Sequence, residues 1–273
     1  MHSISGKTAL ITGGASGIGK LMGRLLLQKG LGKLVIWDRD AVMLAITLQE
    51  FLEQNFSVQT SCIDITSLKD IVTAADDLKK NNIQIDILIN NAGIITGKYF
   101  MEHTHEEIDK TLQINTAALM HLSRIFLPAM IQQRNGNIVN IASAAGMIAN
   151  PKMSVYAASK WAVIGWSDSL RLEMETQKTG VHITTVTPYY INTGMFDGVK
   201  SSIIPILDPL KAAKRIIHGL EKNKAYVRMP GIVYALPLIK GLLPARWFDV
   251  IVGKWLGIYT SMEDFTGRKK AIQ

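Results

Sequence analysis

Short runs of β-branched and aliphatic residues alternate along the chain with longer stretches in which apolar positions recur every three or four residues. The runs at 8–12, 34–37, 58–63, 85–90, 137–141 and 181–186 predict strands, and the stretches between them predict helices. This strand–helix rhythm implies a parallel sheet covered on both faces, with ligands received at the carboxyl ends of the strands. Helix starts are signalled at Ser67 with Asp70, and at Thr104 with Glu107, a capping box ahead of Ile108. Past Pro188 the rhythm weakens, and residues 195–207 form a loop-like segment rich in apolar side chains. Residues 231–258 return to helical patterning, broken by Pro237 and Pro244. The expected architecture is therefore α/β, a doubly wound parallel sheet in one domain over residues 1–230, followed by a C-terminal helical extension over 231–273.

Composition narrows the class. With 273 residues, 48% hydrophobic and 19% charged, the chain can bury a sizeable core and is not disordered throughout. Cys62 is its one cysteine, which excludes an intramolecular disulfide and any multi-cysteine zinc site, and it is expected to be a buried, inert thiol. A strand begins within the first residues, leaving no room for a signal peptide, and no apolar run has the length of a membrane span. A cytoplasmic chain is expected, with contact at a membrane surface left open.

The charge redraws the C-terminal part. Thirty Lys and Arg against 22 Asp and Glu give +8, but residues 1–194 carry only +1 of it and residues 195–273 carry +7. A nucleic-acid partner is not expected, since no basic–aromatic motif accompanies the charge. In the extension Trp247, Phe248, Val250, Ile251, Trp255 and Leu256 supply apolar area, and Lys240, Arg246 and Lys254 supply charge. Three roles stay open for it: a lipid-facing surface, a lid over a substrate pocket, or a contact between subunits.

Candidate chemistry begins at the first strand's end. Thr12-Gly-Gly-Ala-Ser-Gly-Ile-Gly19 lies between a strand and a helix, where Gly13, Gly17 and Gly19 allow a tight turn and close approach of a pyrophosphate to the helix N-terminus. The same residues nearly spell a P-loop, since Lys20 follows Gly19, but Leu21 stands where Mg²⁺ binding needs Ser or Thr. Asp38 ends the second strand 19 residues beyond Gly19, placed to bond both ribose hydroxyls and to repel a 2′-phosphate. NAD(H) is thereby favoured, with NADP(H) still possible because Arg39 follows at once.

Tyr156 and Lys160 stand four apart, on one face of a helix. A phenol with a pKa of about 10 is a weak base at neutral pH, and a nearby ammonium and an oxidised nicotinamide would favour its phenolate. Ser143, at the end of the fifth strand, would bring a hydroxyl beside Tyr156 to hold a carbonyl oxygen. His103, His105, Glu106 and Glu107 could suggest a metal, but a helix start already accounts for that segment, and no metal is expected. The methionines read as core filler.

Together these residues resemble the short-chain dehydrogenase/reductase family over roughly residues 5–230. TGGASGIG at 12–19 matches its TGxxxGxG, Asp64 its acid beside the adenine, and Asn90-Asn91-Ala92-Gly93 its NNAG; Asn115, Ser143, Tyr156 and Lys160 match its catalytic tetrad. The resemblance implies a Rossmann fold and a dinucleotide held by Gly13, Ser16, Gly17, Ile18, Gly19, Asp38, Arg39, Asp64, Ile65, Asn91, Ala92, Gly93, Tyr156, Lys160, Pro188, Ile191 and Thr193. It implies that Tyr156 exchanges a proton with the substrate oxygen, Ser143 orients that oxygen, Lys160 binds the nicotinamide ribose and lowers the Tyr156 pKa, and Asn115 holds a relay water. It also implies a homodimer or homotetramer.

One departure is Pro188-Tyr-Tyr-Ile-Asn-Thr193, where Tyr189 replaces the family's glycine and either narrows the substrate side or packs outward. Residues 195–207 would form an apolar lid, and PYYINTGMF, LLP and GIYTSMEDFTGR look similar to the branch of retinol and 17β-hydroxysteroid dehydrogenases. That branch implies a lipophilic alcohol or ketone. The N-terminal hydrophobic anchor often found there is not evident. The alternative from another class is a catalytically silent NAD(H)-binding regulator or scaffold.

Overall fold

The computed structural model describes residues 3–201, 203–255 and 257–267. Leu256, Arg268 and the remainder of the tail named above lie outside them. Seven parallel strands form one sheet in the order β3-β2-β1-β4-β5-β6-β7: β1 Thr8–Thr12, β2 Lys33–Asp38, β3 Val58–Cys62, β4 Ile87–Asn90, β5 Gly136–Ile141, β6 Val181–Pro188 and β7 Tyr226–Met229. Between them run α1 Gly17–Gln28, α2 Ala41–Leu52, α3 Leu68–Lys80, α4 His105–Leu112, α5 Ala118–Gln132, α6 Ser154–Thr176 and α7 Pro209–Glu221. After β7 come α8 Leu236–Leu242, the one-turn α9 Ala245–Phe248 and a π turn Asp249–Trp255.

The strands are apolar on both sides because each alternate residue feeds a different layer. Ala9 and Ile11, Leu34 and Ile36, Ile87 and Ile89, and Val139 and Ile141 pack toward Met22 and Leu26 of α1 and Ile216 of α7. Leu10, Val35, Trp37, Leu88 and Ile138 point the other way, toward Ile71 of α3, Phe126 and Met130 of α5 and Leu170 of α6. The two expected helix starts are present: Ser67 Oγ accepts the Asp70 N–H, and Thr104 and Glu107 cap each other reciprocally.

Three expectations change. A seventh strand pairs with β6, from Thr185↔Tyr226 to Pro188↔Met229, where the rhythm had seemed to end. Cys62 is exposed rather than buried: β3 is an edge strand, and Cys62, at its end, pairs with Asp38 of β2 on one side and has no strand on the other. The continuous helix 105–132, α4 and α5 joined by a π turn Gln113–Ala117, is long and apolar enough to span a membrane by composition alone. It lies instead against the sheet, burying Ile114, Ala118, Leu122 and Phe126.

Candidate active site

β1 and β4 are neighbours, and strand order reverses between them, which opens a crevice at their carboxyl ends. The two sides are tied together there. Thr12 Oγ1 accepts the N–H groups of Asn91 at 3.1 Å and Ala92 at 3.2 Å, and Asn91 Nδ2 donates to the carbonyls of Thr12 and Gly13, both at 3.0 Å.

The loop from Gly13 to Gly19 depends on missing side chains. Gly13 has φ +63°, in the region glycine occupies freely, and a Cβ there would come within 2.9 Å of Ala92 Cα. A Cβ on Gly19 would run into the Gly13 carbonyl. Ser16 is the N-cap of α1 but its side chain makes no capping bond, and no acid lies in the first turn. An anion can therefore meet the N–H groups of this helix end directly. Ile18 packs partly onto the apolar layer behind the loop.

Asp38 stands beside this loop, its carboxylate accepting the N–H of Ala15 at 3.1 Å and of Asp40 at 3.2 Å. Arg39 is exposed. The Thr66 N–H and hydroxyl hold the Asp64 carboxyl below its ordinary range, with the Arg39 charge a smaller contribution, while Ile65 is buried. On the far side Thr193 returns to the loop, close enough that a Cβ on Gly17 would touch it at 3.7 Å. Pro188 ends β6, and the buried Ile191 forms a parallel bridge with Leu207.

Ser143, Tyr156 and Lys160 converge beyond Gly93. Ser143 lies two residues past β5 and hydrogen-bonds the Tyr156 hydroxyl, and it also accepts the Ala145 N–H at 3.1 Å. Lys160 Nζ donates to the Ile141 carbonyl at 2.8 Å and lies 5.7 Å from the Tyr156 ring centre. Burial governs both titrations: it pushes the Tyr156 phenol up to about 12, and it pulls the Lys160 ammonium down to about 8. The expected lowering of the Tyr156 pKa by Lys160 is thus absent in the chain alone, where desolvation outweighs the hydrogen bond from Ser143.

Asn115 sits in the π turn, fully buried. Its Oδ1 accepts the Ile94 N–H at 2.8 Å, and its Nδ2 donates to the Ile94 carbonyl at 2.9 Å and to Ser159 Oγ at 3.1 Å. Both Nδ2 hydrogens are thus engaged while Oδ1 keeps a second acceptor site, and Asn115 clamps the turn to the strand-end loop. π turns inside helices frequently mark functional sites. Ser159, not singled out in the sequence, completes the clamp by donating to the Tyr156 carbonyl at 2.6 Å.

A narrow cleft leads away from Ser143, lined by Ile148, Asn150, Met153, Tyr189, Tyr190, Phe196 and Ile258 among others. Tyr189 points into it rather than outward, its hydroxyl 3.0 Å from Ser201 Oγ. Tyr190 is joined through its hydroxyl to Asn150 Nδ2 and Ser261 Oγ, each at 3.0 Å. The segment 258–267 closes the cleft from outside: the N–H groups of Thr266 and Gly267 donate to the Asp197 carbonyl, and Lys152 Nζ donates to the Glu263 carbonyl at 3.0 Å. Asn150 escaped notice because it belongs to no motif, its only cue being a polar residue beside Pro151 just ahead of the Tyr156 helix, and Ser261 because its stretch GIYTSMEDFTGR drew attention for a resemblance and not for this hydroxyl. The His103 side chain is buried and His105 is exposed, so the two do not converge, and no group of three or more His, Cys, Asp or Glu suits a metal ion among the described residues.

The crevice fits a nicotinamide dinucleotide: glycines where a Cβ would collide, an uncapped helix end for the pyrophosphate, and a carboxylate at the end of β2 for a ribose. The comparisons agree with this geometry. A sequence profile described as short chain dehydrogenase matches residues 7–203. Epidermal retinol dehydrogenase 2 of Mus musculus is 34% identical over 98% of this chain and 88% of its own length, and estradiol 17-beta-dehydrogenase 11 of Pongo abelii is 32% identical over 92% and 84%. Among solved structures, a short chain dehydrogenase/reductase from Burkholderia phymatum in complex with NAD superposes with a TM-score of 0.81, at 22% identity over all of both chains. A short-chain dehydrogenase from Sphingobium yanoikuyae in complex with NADPH gives 0.76, at 28% identity over 97% and 98%. With the family profile matching residues 7–203 and these relatives matching over most of its length, the chain belongs to the short-chain dehydrogenase family and is an NAD(P)-dependent oxidoreductase.

Proposed function

We propose that the protein interconverts a lipophilic alcohol and its ketone or aldehyde, with NAD(H) preferred over NADP(H). The carrying observation is the meeting of Ser143, Tyr156 and Lys160, with Ser143 itself lining a cleft walled by Ile148, Met153, Tyr189, Phe196 and Ile258. The names of the relatives, a retinol dehydrogenase and an estradiol dehydrogenase, are in keeping with an apolar substrate.

Gly13, Ser16, Gly17, Ile18 and Gly19 would hold the pyrophosphate; Asp38 and Arg39 would face the adenine ribose, and Asp64 and Ile65 the adenine. Asn91, Ala92, Gly93, Pro188, Ile191 and Thr193 would surround the nicotinamide end. The dinucleotide supplies or accepts the hydride when bound. Ser143 and Tyr156 would both bond the substrate oxygen. With its pKa raised by burial, the Tyr156 phenol is neutral at physiological pH and is a proton donor to that oxygen as the carbonyl is reduced. Lys160, with a pKa of about 8, is still largely charged near neutrality, and with an oxidised nicotinamide bound its ammonium would join that charge in favouring the phenolate needed in the opposite direction.

The test is a turnover panel of retinoids, steroids, long-chain alcohols and sugars, run with NAD(H) and NADP(H) in parallel. Apolar substrates with NAD(H) should lead, and Tyr156→Phe should abolish turnover while NADH binding, read by fluorescence, persists. Preference for sugars removes the lipophilic assignment, and preference for NADP(H) removes the role given to Asp38.

A further inference from the structure

The C-terminal helices present large apolar side chains to solvent that the fold does not use. Leu238 is 65% exposed, Leu242 73%, Trp247 65% and Trp255 74%. Leu238 and Leu242 lie one turn apart on α8, on the side away from Leu236, Ile239 and Leu243, which pack inward with Phe248 and Val252. The inward set already satisfies the helices, so the outward set remains to be covered. Exposed apolar groups gathered in this way mark an interaction surface.

The charges around them indicate what covers it. Arg246 precedes Trp247 and Lys254 precedes Trp255, and both cations are exposed. Lys240, on the other side of α8, is turned away from this face, lying 4.1 Å from the centre of the Trp161 ring and donating to the Met147 carbonyl. Asp249 is the only acid between residues 231 and 255, and its carboxylate is bonded by the Tyr259 hydroxyl. Tryptophan beside Lys and Arg, around an aliphatic face, matches the boundary between headgroups and acyl chains of an anionic bilayer. A second copy of the chain fits less well, because a two-fold contact would bring Arg246 and Lys254 of both copies around one patch.

We infer that the face formed by Leu238, Leu242, Trp247 and Trp255, with Arg246 and Lys254, docks the protein on an anionic lipid bilayer. The apolar cluster beneath it runs inward through Phe248, Val252 and Ile204 to Ile148 and Ile258 in the cleft wall. Docking thus places the cleft next to the membrane, which on the reading above is where a lipophilic substrate would be concentrated. The docking itself does not depend on that reading.

The experiment is flotation of the full chain with vesicles of phosphatidylcholine alone or mixed with phosphatidylserine, at low and high salt. Binding is expected on the anionic vesicles, weakening with salt. Arg246→Glu with Lys254→Glu should reduce it by about tenfold or more on anionic vesicles, and Trp247→Ser with Trp255→Ser should reduce it on both kinds, with thermal melts unchanged. In the unaltered chain, lipids brominated along the acyl chain should quench tryptophan emission, a readout that needs no variant. No binding at low salt, binding indifferent to both variant pairs, absence of quenching, or a dimer that the tryptophan variants dissolve would each overturn the inference. All of these readouts are independent of turnover.

Discussion

Phe196 stands edge-on to Tyr156, with ring centres 6.1 Å apart and an angle of 82° between the planes, and the same ring lies 5.0 Å from Tyr190. The aromatic wall thus comes from the segment after β6 and closes on a hydroxyl carried by α6. Desolvation is the largest cause of the high Tyr156 pKa, and Phe196 is one of the groups keeping water from the phenol.

Replacing Phe196 by Ala should therefore lower the Tyr156 pKa from about 12 toward its ordinary value of about 10. Carbonyl reduction needs the protonated phenol, so the alkaline loss of that activity should move to lower pH. Ultraviolet difference titration against the same protein carrying Tyr156→Phe isolates the one phenol from the other tyrosines. An unmoved titration would show that Phe196 does not shield it.

Lys160 illustrates function set against stability. Its folded pKa of about 8 lies below the ordinary Lys value, so the cost of burying the charge is present in full below pH 8 and disappears as pH rises toward about 10.5. Lys160→Met removes that cost but leaves the Ile141 carbonyl without its donor. At pH 7 the variant should be more stable by about 1–2 kcal/mol and inactive. Its advantage should shrink above pH 8 and reverse once the native amine is neutral and still bonded to Ile141. Urea unfolding at pH 7 and pH 10 measures both signs.

Much of this architecture could be read in the sequence because its information is local. Strands such as Leu34 to Trp37 are apolar at every position, and the glycine loop and the Tyr156–Lys160 spacing occupy single short stretches. β7 was missed because Tyr226-Val-Arg-Met is short and only Val227 and Met229 face inward, while Arg228 stacks between Tyr226 and Tyr234. The π turn was invisible because Gln113–Ala117 keeps an uninterrupted helical pattern. The cleft was the least legible part. Tyr190 meets Asn150 and Ser261, which lie 111 residues apart, and no periodicity records such a contact.

Asp38 offers a direct test of dinucleotide choice. Asp38→Ser removes the charge facing a 2′-phosphate while keeping one oxygen for the N–H of Ala15 or Asp40. With Arg39 retained, the ratio of kcat/KM for NADP to that for NAD should rise by about tenfold or more, roughly 1.4 kcal/mol. Steady-state kinetics with both dinucleotides gives the ratio, and no change would mean that the carboxylate does not read the ribose.

Gly97 is where the C-terminal segment can be loosened without touching the groups that react. A Cβ there would collide with the Phe265 ring and reach 3.0 Å from Met262 Cε. Gly198 is similarly crowded, by the Asp264 carbonyl, but its φ of +85° would add strain of its own. Gly97→Ala carries no such penalty and should act through the contacts with Phe265 and Met262. The segment is otherwise held by the Asp197 carbonyl, by Lys152 and by the buried Ser261 hydroxyl, so it should open locally while the sheet stays folded. Hydrogen exchange at residues 258–267 should quicken several-fold, with β1 and β4 unchanged. If this segment retains the substrate, KM for a lipophilic alcohol should rise several-fold at nearly constant kcat, as expected when binding common to ground and transition states is lost. Faster exchange with unchanged KM would leave the segment a packed tail with no part in holding the substrate.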